Sequence, residues 1–164
     1  MSHESEALRL HREALLIDSH NDTIVAHMRA GNLGLAVRSD KVQLDLPKMR
    51  EAYVDAAFFA VDVTLAKKNY LTYALDAFGF FEKEIIANET EITIAKNSLD
   101  ILQANRDGKI AAVLAVENSD VLEGSLNVLR IIYKIGVRSI GLTHNPRSLA
   151  ADGVDETRSR GGLT

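Results

Sequence analysis

The chain has 164 residues, 46% of them hydrophobic and 26% charged, with a net charge of −4. That length and composition suit one soluble domain with a sizeable core, and the acidic balance argues against a nucleic-acid partner or a basic membrane-binding surface. There are no cysteines, which excludes disulfides, thiolate metal sites and a cysteine nucleophile.

The opening Met1-Ser2-His3-Glu4-Ser5-Glu6 is polar and acidic, unlike a secretory signal, and no apolar run is long enough to span a bilayer. The expectation is a cytoplasmic protein with no membrane partner. Residues 5–12 read as a leading helix. Residues 15–18 form a short apolar strand that climbs into Ser19-His20-Asn21-Asp22. Residues 23–30 are helical and end at Gly31-Asn32-Leu33-Gly34. Asp45 is placed to cap a helix with Pro47 in its first turn. Residues 54–63 make a second strand, so continuously apolar that both faces must be covered. Two amphipathic helices follow over 70–88 and 98–106, the second stopped by Gly108. Residues 110–116 are a third apolar strand, 125–135 a helix stopped by Gly136, and 139–143 a fourth strand. From 145 to 164, with Pro146, Gly153, Gly161 and Gly162, the pattern is that of a loop.

Four strand–helix units in succession call for parallel strands joined by crossover helices. A complete eight-strand barrel takes about 250 residues. The expected fold is therefore α/β, the N-terminal half of a (β/α)8 TIM-type barrel. It forms a single partial domain over 1–164 with no linker. The alternative is a small open doubly wound sheet.

Strand ends carry the chemistry of such folds, and three of these four end in groups that bind metal or substrate. The first delivers His20 and Asp22. Side chains two apart on an extended segment face the same way, and an imidazole beside a carboxylate suits a zinc-like cation. The bland alternative for Asp22 is a helix cap. The third strand ends in Glu117, otherwise a residue re-entering solvent, and the fourth ends in His144, otherwise a loop histidine. His3, His11 and His27 read as surface residues. Phe58, Phe59, Phe78, Phe80 and Phe81 read as core, and Lys67 and Lys68 as a solvated loop. Neither a Gly-rich phosphate loop nor a Gly-x-Ser-x-Gly elbow is present, so nucleotide and serine-hydrolase chemistry lack support.

Five blocks carry a resemblance: Ile17-Asp18-Ser19-His20-Asn21-Asp22-Thr23, Gln43-Leu44-Asp45-Leu46-Pro47-Lys48-Met49, Ala115-Val116-Glu117, the stretch from Ser125 to Arg138, and Leu142-Thr143-His144-Asn145. In content and order they resemble the membrane (renal) dipeptidase family. The resemblance implies a zinc-dependent amidohydrolase-type barrel that cleaves dipeptides, with two zinc ions per complete site and a homodimeric complete protein. It implies that His20 and Asp22 bind one zinc and that Glu117 bridges both at the catalytic centre. It places His144 against the substrate. Where the family commonly has glycines after the bridging glutamate, this chain has Asn118-Ser119, which bears on substrate preference. The family's second half supplies two further zinc-binding histidines, an arginine and an aspartate that these residues do not include. A related binuclear hydrolase acting on another amide or a lactam is the second expectation, and a catalytically inactive fragment or subunit the third.

Overall fold

The computed structural model describes residues 3–156 and 161–163, apart from the side chains of His3 and Glu4. The expectation of a surface position for His3 therefore lies outside the described side chains. In chain order the elements are α1 (His3–Glu13), β1 (Ile17–Asn21), α2 (Thr23–Arg29), α3 (Leu46–Glu51), β2 (Ala56–Asp62), α4 (Tyr70–Ala87), β3 (Ile92–Ile94), α5 (Ser98–Arg106), β4 (Ile110–Glu117), α6 (Leu126–Ile135) and β5 (Val137–Ile140). Single 3-10 turns follow β2 and β4, at Val63–Ala66 and Ser119–Leu122.

All strand pairings within the sheet are parallel: β1 with β2, β2 with β4, and β4 with both β3 and β5. The four longer strands lie side by side in the order in which the chain makes them. A doubly wound sheet needs a point where the order reverses. The longer strands have none, and the fold is part of a TIM-type barrel. The fifth strand, Ile92–Ile94, shares one edge of β4 with β5: it pairs at Ile110–Ala112, and β5 pairs further along at Leu114–Val116. Three residues are too short a run to show a period, so the sequence pattern does not reveal it.

The two faces of the sheet differ in kind. Ala57, Phe59 and Val61 of β2 and Ala112, Leu114 and Val116 of β4 belong to the main core with Ile24 and Val25 of α2 and Ala74, Ala77, Phe78 and Phe81 of α4. Phe59 and Phe81 meet there with ring centroids 4.7 Å apart. The alternate residues, Ala56 of β2 with Ala111 and Val113 of β4, form a second cluster with Ala95 and with Ala104 of α5. Since residues two apart share a face, this second face runs along both strands toward their ends. Asp62 and Glu117 are direct partners in the β2–β4 register. Both therefore stand at the C-terminal end of the face opposite α2 and α4.

Two local devices position the site. Asp45, fully buried, caps α3 by accepting from the Lys48 backbone N–H at 2.9 Å and holds the preceding loop by accepting from the Ser39 N–H at 3.0 Å. His27, expected at the surface, is completely buried; its two ring nitrogens contact the Leu33 and Leu44 carbonyl oxygens, each at 2.8 Å. The helical period gave no cue to this, because the 31–45 loop folds back over α2 and supplies both partners. His11 stays exposed and meets the Ala52 carbonyl oxygen at 2.9 Å.

Candidate metal centre

β1 does not run straight to its end. Its register against β2 shifts between Asp18 and Asn21. There Asp18 accepts from the His20 backbone N–H at 3.2 Å and from the Asn21 side-chain amide at 2.8 Å, and Asn21 in turn accepts from the Thr23 N–H at 3.2 Å. An irregularity of this kind re-aims a side chain at a sheet rim. Here Asp18 and Asn21 satisfy the turn, and His20 and Asp22 are left facing the cleft. Asp22 stands at the N-cap position of α2, yet its side chain makes no capping hydrogen bond. The capping alternative therefore fails, and the carboxylate is available to a ligand.

The expected site residues converge. His20 Nε2 lies 3.4 Å from Glu117 Oε2 and 3.9 Å from Asp22 Oδ1, and His144 Nε2 lies 3.1 Å from Glu117 Oε1. Glu117 thus presents one oxygen to each histidine. All four line an open cleft of ≈ 510 Å³ together with Asp62, Arg29, Val25, Ala26 and Leu65. His20 and Asp22 are half exposed, whereas the Glu117 side chain keeps only 19% of its surface.

His144 is not at the strand end itself. β5 closes at Ile140, and His144 lies on the loop beyond it. Ser119, just past β4, ties that loop back by donating its hydroxyl to the Leu142 carbonyl at 2.7 Å, and Ser148 within the loop donates to the same oxygen at 2.9 Å. Gly153 lets a later segment pass against it: a side chain there would meet the Pro146 carbonyl oxygen at 2.2 Å. The Asn118-Ser119 pair thus has a structural role. Asn118 takes a φ of 79°, a conformation that glycine adopts freely and asparagine tolerates better than most residues. Its side chain accepts from the Asp120 N–H at 2.9 Å to start the 3-10 turn.

Asp62 is the cleft residue that the sequence pattern does not reveal. It sits inside Val61-Asp62-Val63, with apolar residues on either side. The available signal was the strand itself, since a charged residue closing a buried strand stands where barrel chemistry occurs. Asp62 Oδ1 accepts from the Thr64 backbone N–H at 2.9 Å and from the Thr64 hydroxyl at 2.6 Å.

The donor set fits a divalent cation. His20, Asp22 and Glu117 each offer a ligand atom, all within 4.8 Å of one another, and Asp62, Glu117 and His144 form a second such group. Metal–ligand bonds of about 2.0–2.2 Å place neighbouring donors roughly 3–3.6 Å apart. The separations around Glu117 already lie in that range. One imidazole with carboxylates is a donor set for zinc and similar first-row ions.

Fold and site together define a barrel-type α/β protein with a histidine–carboxylate cluster, of a kind that could hold a metal ion, at the C-terminal rim of its strands. Residues 4–164 match the family model described as membrane dipeptidase (peptidase family M19), and the chain belongs to that family. It is 27% identical over 177 residues to dipeptidase verJ of Clonostachys rogersoniana, covering 98% of this chain and 46% of that protein. Among solved structures it resembles the metallo peptidase dipeptidase AC, with a TM-score of 0.75 and 19% identity over 84% of this chain and 45% of that one. It also resembles a metallo peptidase from Rhodobacter sphaeroides, liganded with a phosphinate mimic of the dipeptide L-Ala-D-Ala. There the TM-score is 0.74 and the identity 17%, over 85% of this chain and 48% of that one. The chain spans less than half the length of these relatives.

Proposed function

We propose that these residues form part of a zinc-dependent dipeptidase, in which His20, Asp22 and Glu117 hold a metal ion and Glu117 bridges to a second. The observation that carries this is the placement of Glu117, whose two carboxylate oxygens face His20 and His144 at 3.4 and 3.1 Å. Family membership and dipeptidase-named relatives support the substrate class. When bound, such an ion supplies a Lewis acid and lowers the pKa of water toward neutrality.

The chain's own groups have separable tasks. His20 and Asp22 fix one side of the centre from β1 and the start of α2. Glu117, mostly buried at the end of β4, fixes the spacing of the centre and neutralises charge there. His144 stands across Glu117 on a braced loop and donates to the scissile carbonyl oxygen as negative charge builds on it. A donor held in place beforehand does not have to reorganise during reaction, and the Ser119 and Ser148 ties supply that rigidity.

The experiment is metal analysis coupled to dipeptide hydrolysis, using the polypeptide that carries these residues at its full natural length. His20→Ala and Asp22→Ala should each lose most bound metal and most activity, because each removes a ligand atom. Full metal content in both single variants would overturn the assignment.

A further inference from the structure

Asp62 is not among the residues assigned to the proposed centre, although it groups with Glu117 and His144 around the same cleft. Only 7% of its surface is exposed, and it lines the cleft that holds His20, Asp22, Glu117 and His144. Its two hydrogen bonds both fall on Oδ1, from the Thr64 N–H and hydroxyl. Among the described residues none donates a hydrogen bond to Oδ2. Among the described residues no ion pair involves Asp62, although His144 and Arg29 share its cleft. Oδ2 is not sealed from solvent and opens onto the cleft, where a donor on a ligand can reach it. Charge adds to this. The cleft gathers the carboxylates of Asp22, Asp62 and Glu117 against one guanidinium, Arg29. Oδ2 is therefore placed to accept from a cationic group that enters the cleft.

We propose that Asp62 is a specificity residue that receives an ammonium group of the substrate on Oδ2. The inference rests on the peptidase reading for the identity of the substrate, but on Asp62 alone for the contact. The Asp62 ligand atom lies within 4.8 Å of those of Glu117 and His144, so the ammonium it receives lies next to the scissile carbonyl. In a dipeptide two groups meet that description. The α-ammonium is two bonds from the carbonyl carbon, and a lysine-like side chain on the N-terminal residue folds back to reach the same place. Thr64 keeps the carboxylate oriented by holding Oδ1, and the Asp62–Glu117 register pair fixes its distance from the centre. No covalent step is involved.

The test is calorimetric binding of uncleavable ketomethylene isosteres to the metal-loaded protein. Four ligands are compared: lysyl-alanine, norleucyl-alanine, and the N-acetylated form of each. Charge-assisted hydrogen bonds to a buried carboxylate are worth about tenfold to a hundredfold in affinity. Removing the ammonium that Asp62 receives should cost that much in the wild type and little in Asp62→Asn, which keeps an acceptor for Thr64. A loss that follows acetylation assigns the α-ammonium; a loss that follows norleucine assigns the side chain. Equal binding of all four by the wild type overturns the proposal, as does a difference that persists in Asp62→Asn and Asp62→Ala, or a failure to bind any of the four. Loss of metal from Asp62→Asn would also overturn it, making Asp62 a ligand instead. Hydrolysis of ordinary dipeptides is measured separately. Hydrolysis without Asp62-dependent binding removes only the ammonium assignment, and Asp62-dependent binding without hydrolysis removes only the peptidase reading.

Discussion

Replacing Asp45 with alanine should destabilise the protein by about 2–4 kcal/mol, although Asp45 lies in one of the blocks that mark the family. Its carboxylate accepts from the Lys48 N–H at 2.9 Å and the Ser39 N–H at 3.0 Å, and pairs with the Lys48 ammonium at 3.2 Å. Loss of the cap costs about 1 kcal/mol, and a buried N–H left without its charged acceptor adds about 1–3 kcal/mol. Burial alone pushes the Asp45 carboxyl up, but the backbone hydrogen bonds from Lys48 and Ser39, with the Lys48 ammonium, outweigh it and hold it below its ordinary value. A carboxyl depressed in the folded state stabilises most when ionised. Its contribution is therefore full above about pH 5 and declines as pH falls past the unfolded value near 3.9 and through the folded one. Asp45→Asn keeps one acceptor but sets an amide donor against the other backbone N–H and removes the charge, so it should cost about 1–3 kcal/mol at pH 7, with the part due to charge closing in acid. Urea unfolding at several pH values measures both, from midpoints at constant slope. An alanine cost below about 0.5 kcal/mol at pH 7, or an asparagine gap that does not change between pH 7 and pH 3, would refute the reasoning.

Further predictions concern the site and the surface. Glu117→Gln should weaken metal binding more than Asp22→Asn does, because Glu117 faces two histidines, and a competition titration with a chromogenic chelator ranks them. His144→Ala should keep its metal and lose about 10²–10³-fold in dipeptide turnover, as removal of an oxyanion donor does; a parallel fall in metal content would make His144 a ligand. His27→Ala should lower stability by about 2–4 kcal/mol, since it opens a cavity and leaves the Leu33 and Leu44 carbonyls unanswered, and thermal unfolding reads it directly. Residues 1–164 expressed alone should self-associate in light scattering. Leu126, Ile131, Tyr133 and Ile135 of α6 are exposed, and β1 and β5 each pair on one side only. A stable monomer would contradict this.

Much of this architecture was legible in the sequence because local chemistry and packing agree there. The apolar run ending in Glu117 reads as a buried strand because every residue from Ile110 to Val116 is in fact buried. Asp45 announces a helix start because a short acceptor before Leu46-Pro47 has one obvious use. His20, Asp22, Glu117 and His144 could be singled out one by one because polar groups at the ends of apolar runs are conspicuous. Their convergence is different in kind. His20 and Glu117 are 97 positions apart, and only parallel pairing of β1, β2 and β4 brings them to 3.4 Å. Tertiary structure alone decided the fate of His27, whose partners arrive from a loop with no period of its own. The same holds for β3, whose three residues are defined by an edge of β4 and not by their own pattern. Asp62 shows the reason most plainly. Between two valines it is one charge in an apolar stretch, and only the register that sets it beside Glu117 makes it a wall of the cleft. Periodicity records which face a residue takes within its own element. Which elements share that face depends on pairings between distant segments, and those are set by the packing of the whole sheet.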